Sequence, residues 1–200
     1  SALASCQKPE ADATRNAATA ATAQAWPKLI DEWVESDMKA NPNAATYLGR
    51  HEYDGLFPDW SEAGLRTEIQ RLKDFRSRAT AFDAAGLDAA AKFERDYLTA
   101  VIDGRLFWLE TADWPHRNPT WYYFDPGVYL DRPYGDLPRR MKDYTRWASN
   151  LPAAAAQVKA NLKGPLPRAY IDIGMHTFGP LADFLKTDVV KVFAQVSDPA

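Results

Sequence analysis

The stretch QAWPKLIDEWVESDMKAN, residues 24–41, decides the fold class. Its large apolar residues follow one another at spacings of three, one, three, one and four positions, which is the periodicity of one face of an α-helix. They are Trp26, Leu29, Ile30, Trp33, Val34 and Met38. Proline is tolerated in the first turn of a helix, so Pro27 predicts a helix start near Gln24 or Ala25. Asn41 is predicted to end this helix, because a residue that precedes a proline is disfavoured in the α region.

Two further helices follow toward the C-terminus. Ser61 is predicted to cap the second and Asp88 to open the third, because a side-chain oxygen at either position can accept from a free amide of the first turn. The third helix carries one apolar set on one side, comprising Phe93, Tyr97, Val101, Trp108 and Ala112. A second set, comprising Leu98, Ile102, Leu106 and Leu109, widens that stripe. A stripe of this width predicts a helix that is buried on two sides.

The last third of the chain predicts three more helices. Asp136 is placed to cap the fourth, Pro152 opens a fifth that ends near Leu162, and a sixth begins at Arg168. The sixth is predicted to be interrupted around Gly174 and again at Gly179-Pro180. No alternating strand pattern longer than about five residues occurs. The sequence therefore predicts an all-α fold, an irregular multi-helix array.

Composition narrows the function classes. The 200 residues carry 24 basic and 27 acidic side chains, for a net charge of −3, and no basic stripe of the kind that binds nucleic acid. The single cysteine excludes a disulfide framework and a cysteine-based zinc cluster within the sequence. The 7 Trp, 9 Tyr and 9 Phe residues supply the bulk for a core or for the walls of a groove.

The N-terminus predicts a membrane anchor. Leu3-Ala4-Ser5-Cys6 resembles the cleavage box of bacterial lipoproteins, in which the residue that matches Cys6 becomes lipidated; the alternative is an accidental match. Residues 1–25 are interpreted as a signal-peptide remnant followed by a flexible tether, because they contain few large apolar groups. Residues 26–200 are predicted to form one helical domain that continues beyond the C-terminus. The predicted location is the cell envelope, lipid-anchored on the periplasmic side of a bacterial membrane.

Catalytic motifs are absent from the sequence. The three histidines, His51, His116 and His176, lie on separate segments, and no two of them have the i, i+4 spacing of a zinc-binding helix. No serine nucleophile elbow and no glycine-rich phosphate loop occur. The sequence therefore predicts no catalytic residue, no metal ligand and no cofactor within this chain.

The aromatic segment 113–135 is the best candidate for a binding site. Its four prolines and its aromatic rings disfavour a regular helix, and a long loop in a compact domain is usually functional or wedged into the core. The predicted ligand-contacting residues are Arg117, Asn118, Trp121, Tyr122 and Tyr123. Two interpretations stay open: these residues line a cleft for an extended ligand such as a peptide, or they plug the core between helices.

Three motifs together resemble a known family. They are the run from Asn41-Pro42 through Leu48-Gly49, His51 and Tyr53-Asp54 to Asp59 and Ser61; the run Trp114, Asn118-Pro119 and Tyr122; and the run from Leu137 to Met141 with Leu151-Pro152 and Asn161-Leu162. In this order and approximate spacing they resemble the N-terminal part of the domain-of-unknown-function-885 family. Members of that family are bacterial proteins often described as lipoproteins.

The resemblance implies a mostly helical protein similar to zinc metallopeptidases that enclose a channel. In such proteins an H-E-x-x-H helix supplies two zinc ligands and a general base. That helix lies well downstream of the segment matched here, so no catalytic residue transfers to this chain. Zinc is expected in the full-length protein, and the loop around Asn118 and Tyr122 is expected to face or support the channel.

Two functional hypotheses follow. In the first, the chain is the N-terminal helical part of a membrane-anchored zinc peptidase-like lipoprotein that hydrolyses short peptides, with the zinc motif outside the chain. In the second, it is a non-catalytic helical lipoprotein that binds a peptide or a protein partner. A variant of the first is a family member that has lost its metal site and acts as a binding protein.

Overall fold

The computed structural model describes residues 25–196. The predicted lipid-attachment residue Cys6 and residues 1–24 of the predicted tether lie outside the described residues. Every regular element between residues 25 and 196 is helical, and this range contains no strand. The prediction of an all-α, multi-helix array is therefore confirmed.

Nine α-helices cover most of the described range. Helix α1 spans residues 25–40. The others are α2 (Pro42–Tyr47), α3 (Glu62–Thr80), α4 (Ala89–Leu106), α5 (Trp114–Arg117), α6 (Val128–Asp131), α7 (Leu137–Ala148), α8 (Leu151–Asn161) and α9 (Arg168–Phe193). A π-helical segment, Phe107–Thr111, follows α4, and 3-10 turns form at His51–Tyr53, Ala84–Gly86 and Pro119–Tyr122.

Three of the predicted helix starts coincide with side-chain caps. Ser61 Oγ accepts from the Gly64 amide at 3.0 Å at the start of α3. A carboxylate oxygen of Asp88 accepts from the Ala91 amide at 2.8 Å before α4. Asp136 does the same for Arg139 at 2.9 Å at the start of α7. Each cap satisfies an amide that has no partner within its own helix, which explains why the helices begin at these residues.

The chain divides into two compact units, each defined by Cα atoms that lie close together in space. Among the described residues, the first combines residues 25–36 with Gln70–Leu106. Trp26 and Trp33 are buried there and pack edge to face on Phe82 and Phe75, each with ring centroids 5.2 Å apart. The indole nitrogen of Trp26 also donates to Glu94 Oε2 at 2.9 Å. The two tryptophans of the decisive stretch therefore anchor the core of this unit.

The second unit combines Asp37–Ile69 with residues 107–196. Its apolar core is a cluster of buried residues from α6, α7 and α9, namely Val128, Tyr129, Leu130, Trp147 and Val189. The Tyr129 hydroxyl accepts from the Gly55 amide at 3.1 Å, so the loop after α2 is tied to this core. The five predicted ligand-contacting residues, Arg117, Asn118, Trp121, Tyr122 and Tyr123, belong to this unit.

The prediction for the apolar faces of α4 was wrong. Leu98 and Ile102, from the set that only widened the stripe, are buried, whereas Phe93 and Tyr97 are 70% and 64% exposed. The two exposed rings stack on each other, with centroids 6.0 Å apart. Periodicity showed that the helix has apolar faces, but it did not show which of them packs against the rest of the unit.

The predicted interruptions of the sixth helix were also wrong, because α9 runs unbroken from Arg168 to Phe193 with Pro180 inside it. Gly174 is buried in this helix, and a Cβ atom there would lie 2.8 Å from Pro119 Cγ. This glycine therefore provides space for close packing on the Pro119–Tyr122 turn, and it does not break the helix. Because proline has no backbone N–H, α9 lacks one internal hydrogen bond at Pro180, and the helix continues despite this loss.

Replacing Gly174 with alanine is therefore expected to destabilise the protein. The added Cβ atom would overlap the Pro119 ring, and such overpacking costs about 1–3 kcal/mol. The matched control is Gly104→Ala in α4, where nothing lies within 4 Å of an added Cβ. Because alanine has a higher helix propensity than glycine, this variant is expected to gain up to about 1 kcal/mol of unfolding free energy. Urea unfolding followed by circular dichroism measures both changes. A gain in stability in both variants would contradict the packing role of Gly174.

Candidate functional site

The aromatic segment folds as short helical turns. Helix α5 is followed by the Pro119–Tyr122 turn, and α6 begins six residues later. Asn118 joins the first two, because its Oδ1 accepts from the amide of Thr120 at 3.0 Å and from its hydroxyl at 2.8 Å. Asp125 Oδ1 accepts from the Gly127 amide at 2.8 Å before α6. Side chains that cap the neighbouring backbone therefore hold the segment in one conformation.

Two of the predicted site residues lie in the core. Asn118 and Tyr122 are 5% and 3% exposed. The Tyr122 hydroxyl donates to the Pro115 carbonyl at 2.7 Å and accepts from Asn161 Nδ2 at 3.0 Å. Burial raises the pKa of Tyr122 to about 12, so the phenol stays protonated at neutral pH. These two residues position the segment.

The structure brings Trp121 and Tyr123 together in the walls of one groove. Trp121 is half-buried and Tyr123 is 48% exposed. Arg117 is exposed and does not line this groove. Of the five predicted residues, Trp121 and Tyr123 therefore face the groove, Asn118 and Tyr122 are buried, and Arg117 lies outside the groove. Asn118 and Tyr122 thus pack in the core, whereas contact of the Trp121 and Tyr123 rings with a ligand stays a prediction.

The groove has a volume of about 550 Å³, within the range of roughly 300–1,000 Å³ that is usual for ligand sites. One wall comes from α2 and the residue before it, and the other from the aromatic segment. The polar and aromatic residues of its lining include Asn41, Asn43, Trp60, Trp121, Tyr123 and Asp125. The groove therefore combines flat aromatic rings with amide groups and one carboxylate.

Asn43 is the most informative polar residue of the groove. It is 8% exposed, and its Oδ1 accepts from the Trp147 indole nitrogen at 3.1 Å. No described residue accepts from its Nδ2, so both hydrogens of that group can be donated to solvent or to a ligand in the groove. Asn41 differs, because its Nδ2 donates to the carbonyl and to a carboxylate oxygen of Asp37, both at 3.2 Å. Sequence analysis missed both asparagines, although they flank Pro42 in the first family motif.

A second polar group missed by sequence analysis lies outside the groove. His51 Nδ1 lies 3.0 Å from Asp54 Oδ2, and its ring stacks on Tyr134 with centroids 4.0 Å apart. Asp54 is 4% exposed, and burial raises the pKa of its carboxyl group despite the lowering effect of the hydrogen bond with His51. This contact fixes the turn that follows α2.

His116 ties the aromatic segment to the start of α3. Its Nδ1 lies 2.5 Å from Asp113 Oδ1 and its Nε2 lies 2.9 Å from Glu62 Oε2. Burial of the ring disfavours the charged form, but hydrogen bonds to both carboxylates outweigh that effect and raise the pKa of His116. The hydrogen bond from His116 lowers the pKa of Glu62. The arrangement therefore places an imidazole ring between two carboxylates, which favour its protonated form.

The raised pKa of His116 and the lowered pKa of Glu62 predict that the stability of the protein depends on pH. Because the pKa of folded His116 is raised, its contribution is present below its ordinary value of 6.5 and is lost as the pH rises through the raised value. The contribution of Glu62 is lost as the pH falls through its lowered pKa. Relative to His116→Gln, the protein is therefore expected to lose up to about 1 kcal/mol of unfolding free energy as the pH rises beyond 6.5. Chemical denaturation at several pH values measures this difference. Parallel curves for the two proteins would contradict it.

The described residues offer no ligand set for zinc. Between residues 25 and 196 there is no group of three or more His, Cys, Asp or Glu side chains that could hold a metal ion. A zinc ion of the kind that the family resemblance implies would therefore need ligands from outside the described residues. Within the same range, no helix is long and apolar enough to cross a membrane.

Comparison with known proteins identifies the family. A family model described as a bacterial protein of unknown function, DUF885, matches residues 42–198. A solved structure described as a "putative lipoprotein of unknown function" from Shewanella oneidensis shares the fold, with a TM-score of 0.76 and 15% sequence identity. The match covers 86% of this chain and 32% of that one, so this chain spans about a third of that protein's length. No curated protein matches the sequence. Because the family model covers most of the chain, the protein belongs to the DUF885 family.

Proposed function

We propose that this chain is the peptide-binding part of a longer envelope protein, and that the groove beside α2 holds a short, extended peptide. The observation that carries the proposal is the amide group of Asn43, which is nearly buried and lacks an acceptor for its Nδ2 among the described residues. Because Nδ2 lies at the groove and is not among the fully buried polar atoms, a ligand carbonyl can accept from it in place of solvent.

Three other residues of the groove can also contact a peptide. Trp121 and Tyr123 offer flat apolar rings against which aliphatic or aromatic side chains can pack. Asp125 offers a carboxylate that can accept from a peptide amide or from an N-terminal ammonium group. The bond from Trp147 fixes the Asn43 side chain before any ligand arrives, which lowers the entropy cost of binding.

Calorimetric titration with tetra-alanine tests the proposal. Trp121→Ala is expected to weaken binding about fourfold, because the lost burial of one peptide methyl group against the ring costs about 0.8 kcal/mol. Phe107→Ala is the matched control, since Phe107 is 47% exposed in the same unit and does not line the groove. No heat of binding to the wild-type chain, or equal weakening by both substitutions, would contradict the proposal.

For the longer protein we propose a zinc peptidase-like activity on short peptides, with the metal ligands supplied from outside this chain. The support is the resemblance of the family to helical zinc peptidases, together with the groove described above. The alternative is a non-catalytic protein that binds a peptide or a protein partner. Zinc content and peptide hydrolysis, measured on the full-length protein, separate the two.

We further propose that the protein is anchored in the cell envelope through a lipid on Cys6 and faces the periplasm. The support is the Leu3–Cys6 box and the description of the Shewanella oneidensis protein as a lipoprotein. Incorporation of labelled palmitate into the protein in a bacterial host, and its loss in Cys6→Ser, tests the anchor. Labelling that persists in Cys6→Ser would contradict it.

A further inference from the structure

An apolar cavity adjoins the groove. It has a volume of about 440 Å³ and lies among the Pro119–Tyr122 turn, α8 and α9. Aromatic rings form much of its wall, among them Phe57, Trp60, Tyr122, Phe124, Trp147 and Phe178. Aliphatic side chains from α8 and α9 complete it. The cavity therefore favours an apolar group of the size of a large side chain, because a buried polar group would find few partners there.

Two rings join the cavity to the groove. Trp60 and Phe124 line both spaces, so a ligand that lies in the groove passes the edge of the cavity. The position of Trp60 is fixed, because its carbonyl accepts from Asn161 Nδ2 at 2.6 Å and its amide donates to Gln157 Oε1 at 3.0 Å. Trp60 therefore forms a fixed part of the wall of both the groove and the cavity.

A single charge marks the cavity. Lys159 is the only charged residue among the described residues that line it. The side chain is exposed, and no carboxylate of the described residues pairs with it. An ammonium group beside an apolar cavity favours a ligand that carries a carboxylate next to its apolar part.

On the basis of the proposed peptide-binding function, we propose that the ligands are peptides whose C-terminal residue has a large apolar side chain. The side chain enters the cavity and the terminal carboxylate pairs with Lys159, while the preceding residues lie in the groove. Only the C-terminal residue of a peptide carries a main-chain carboxylate and its own side chain on the same Cα atom. Its chemistry therefore matches the lysine and the cavity together.

Titration of the 200-residue chain with Ala-Ala-Ala-Phe and with tetra-alanine tests the proposal. The phenylalanine peptide is expected to bind about tenfold or more tightly, because its side chain is removed from water. Amidation of its C-terminus is expected to weaken binding about twofold to fivefold, as for an exposed ion pair. Lys159→Gln should remove the effect of amidation, whereas Lys186→Gln, a change of the same charge on α9, should leave it.

Two substitutions on α8 give a matched test of the cavity. Ala155 and Ala156 are both exposed, but only Ala155 lines the cavity. Ala155→Phe is expected to fill the cavity and abolish the preference for the phenylalanine peptide, while tetra-alanine still binds. Ala156→Phe is expected to keep the preference. Thermal unfolding of both variants shows whether each remains folded.

The outcomes separate this proposal from the one before it. Equal affinity of the wild-type chain for both peptides would overturn the cavity proposal and leave the peptide groove standing. Loss of the preference in both α8 variants, with both folded, would also overturn it. Absence of binding to either peptide would overturn both proposals.

Discussion

Replacing Trp147 with alanine is expected to lower the free energy of unfolding by about 3–5 kcal/mol. Trp147 is 2% exposed, and its ring lies with centroids 5.3–6.2 Å from four other aromatic rings. Alanine would leave a cavity where these rings meet, and a close-packed core relaxes only partly to fill such a space. The substitution would also remove the donor to Asn43 that fixes the groove.

Trp147→Phe separates packing from hydrogen bonding. The phenyl ring keeps much of the contact with the surrounding rings but has no N–H to donate, so we expect a smaller loss of about 1–2 kcal/mol. Guanidinium unfolding of the two variants measures both losses. A change below about 1 kcal/mol for Trp147→Ala would contradict the placement of this ring at the centre of the core.

Asn161→Leu is expected to lower the free energy of unfolding by about 2–3 kcal/mol. Asn161 is 2% exposed, and its Nδ2 donates to the Trp60 carbonyl and to the Tyr122 hydroxyl. Leucine has a similar size but no donor, so a buried carbonyl would lose its partner at a cost of roughly 1–3 kcal/mol. Asn161 is therefore the polar link between α8 and two aromatic residues of the candidate site.

A double-mutant cycle with Tyr122→Phe tests that link. Tyr122→Phe removes the hydroxyl but leaves the bond between Asn161 and the Trp60 carbonyl intact. Because both substitutions break the same Asn161–Tyr122 bond, their combined loss is expected to be smaller than the sum of the single losses. Additive losses would show that the two side chains do not interact.

Local signals accounted for most of the fold. Ser61, Asp88 and Asp136 each accept from a backbone amide at the start of a helix, as their positions predicted. Such a cap depends on residues within one turn, so sequence suffices to locate it. The buried face of α4 depends on which neighbours pack on Leu98 and Ile102, and the role of Gly174 depends on the distant Pro119. Those contacts are not local, and the pattern of residues along one helix does not contain them.

The candidate site was predictable in part for the same reason. The density of aromatic residues in segment 113–135 predicted Trp121 and Tyr123 as ligand-contacting residues, and both line the groove. The role of Asn43 arises from its bond with Trp147, 104 positions away. Asparagine in a short helix beside a proline has no distinctive local signature, so only the structure shows that its amide lacks an internal acceptor.

The most direct test of the peptide groove is the NMR spectrum of the Asn43 side-chain amide. Its signals are assigned by their loss in Asn43→Ser and followed while tetra-alanine is added to the labelled 200-residue chain. A ligand carbonyl that accepts from Nδ2 is expected to shift these signals strongly, while the signals of the buried Asn161 amide stay in place. Peptide binding that leaves the Asn43 signals unchanged would contradict the account.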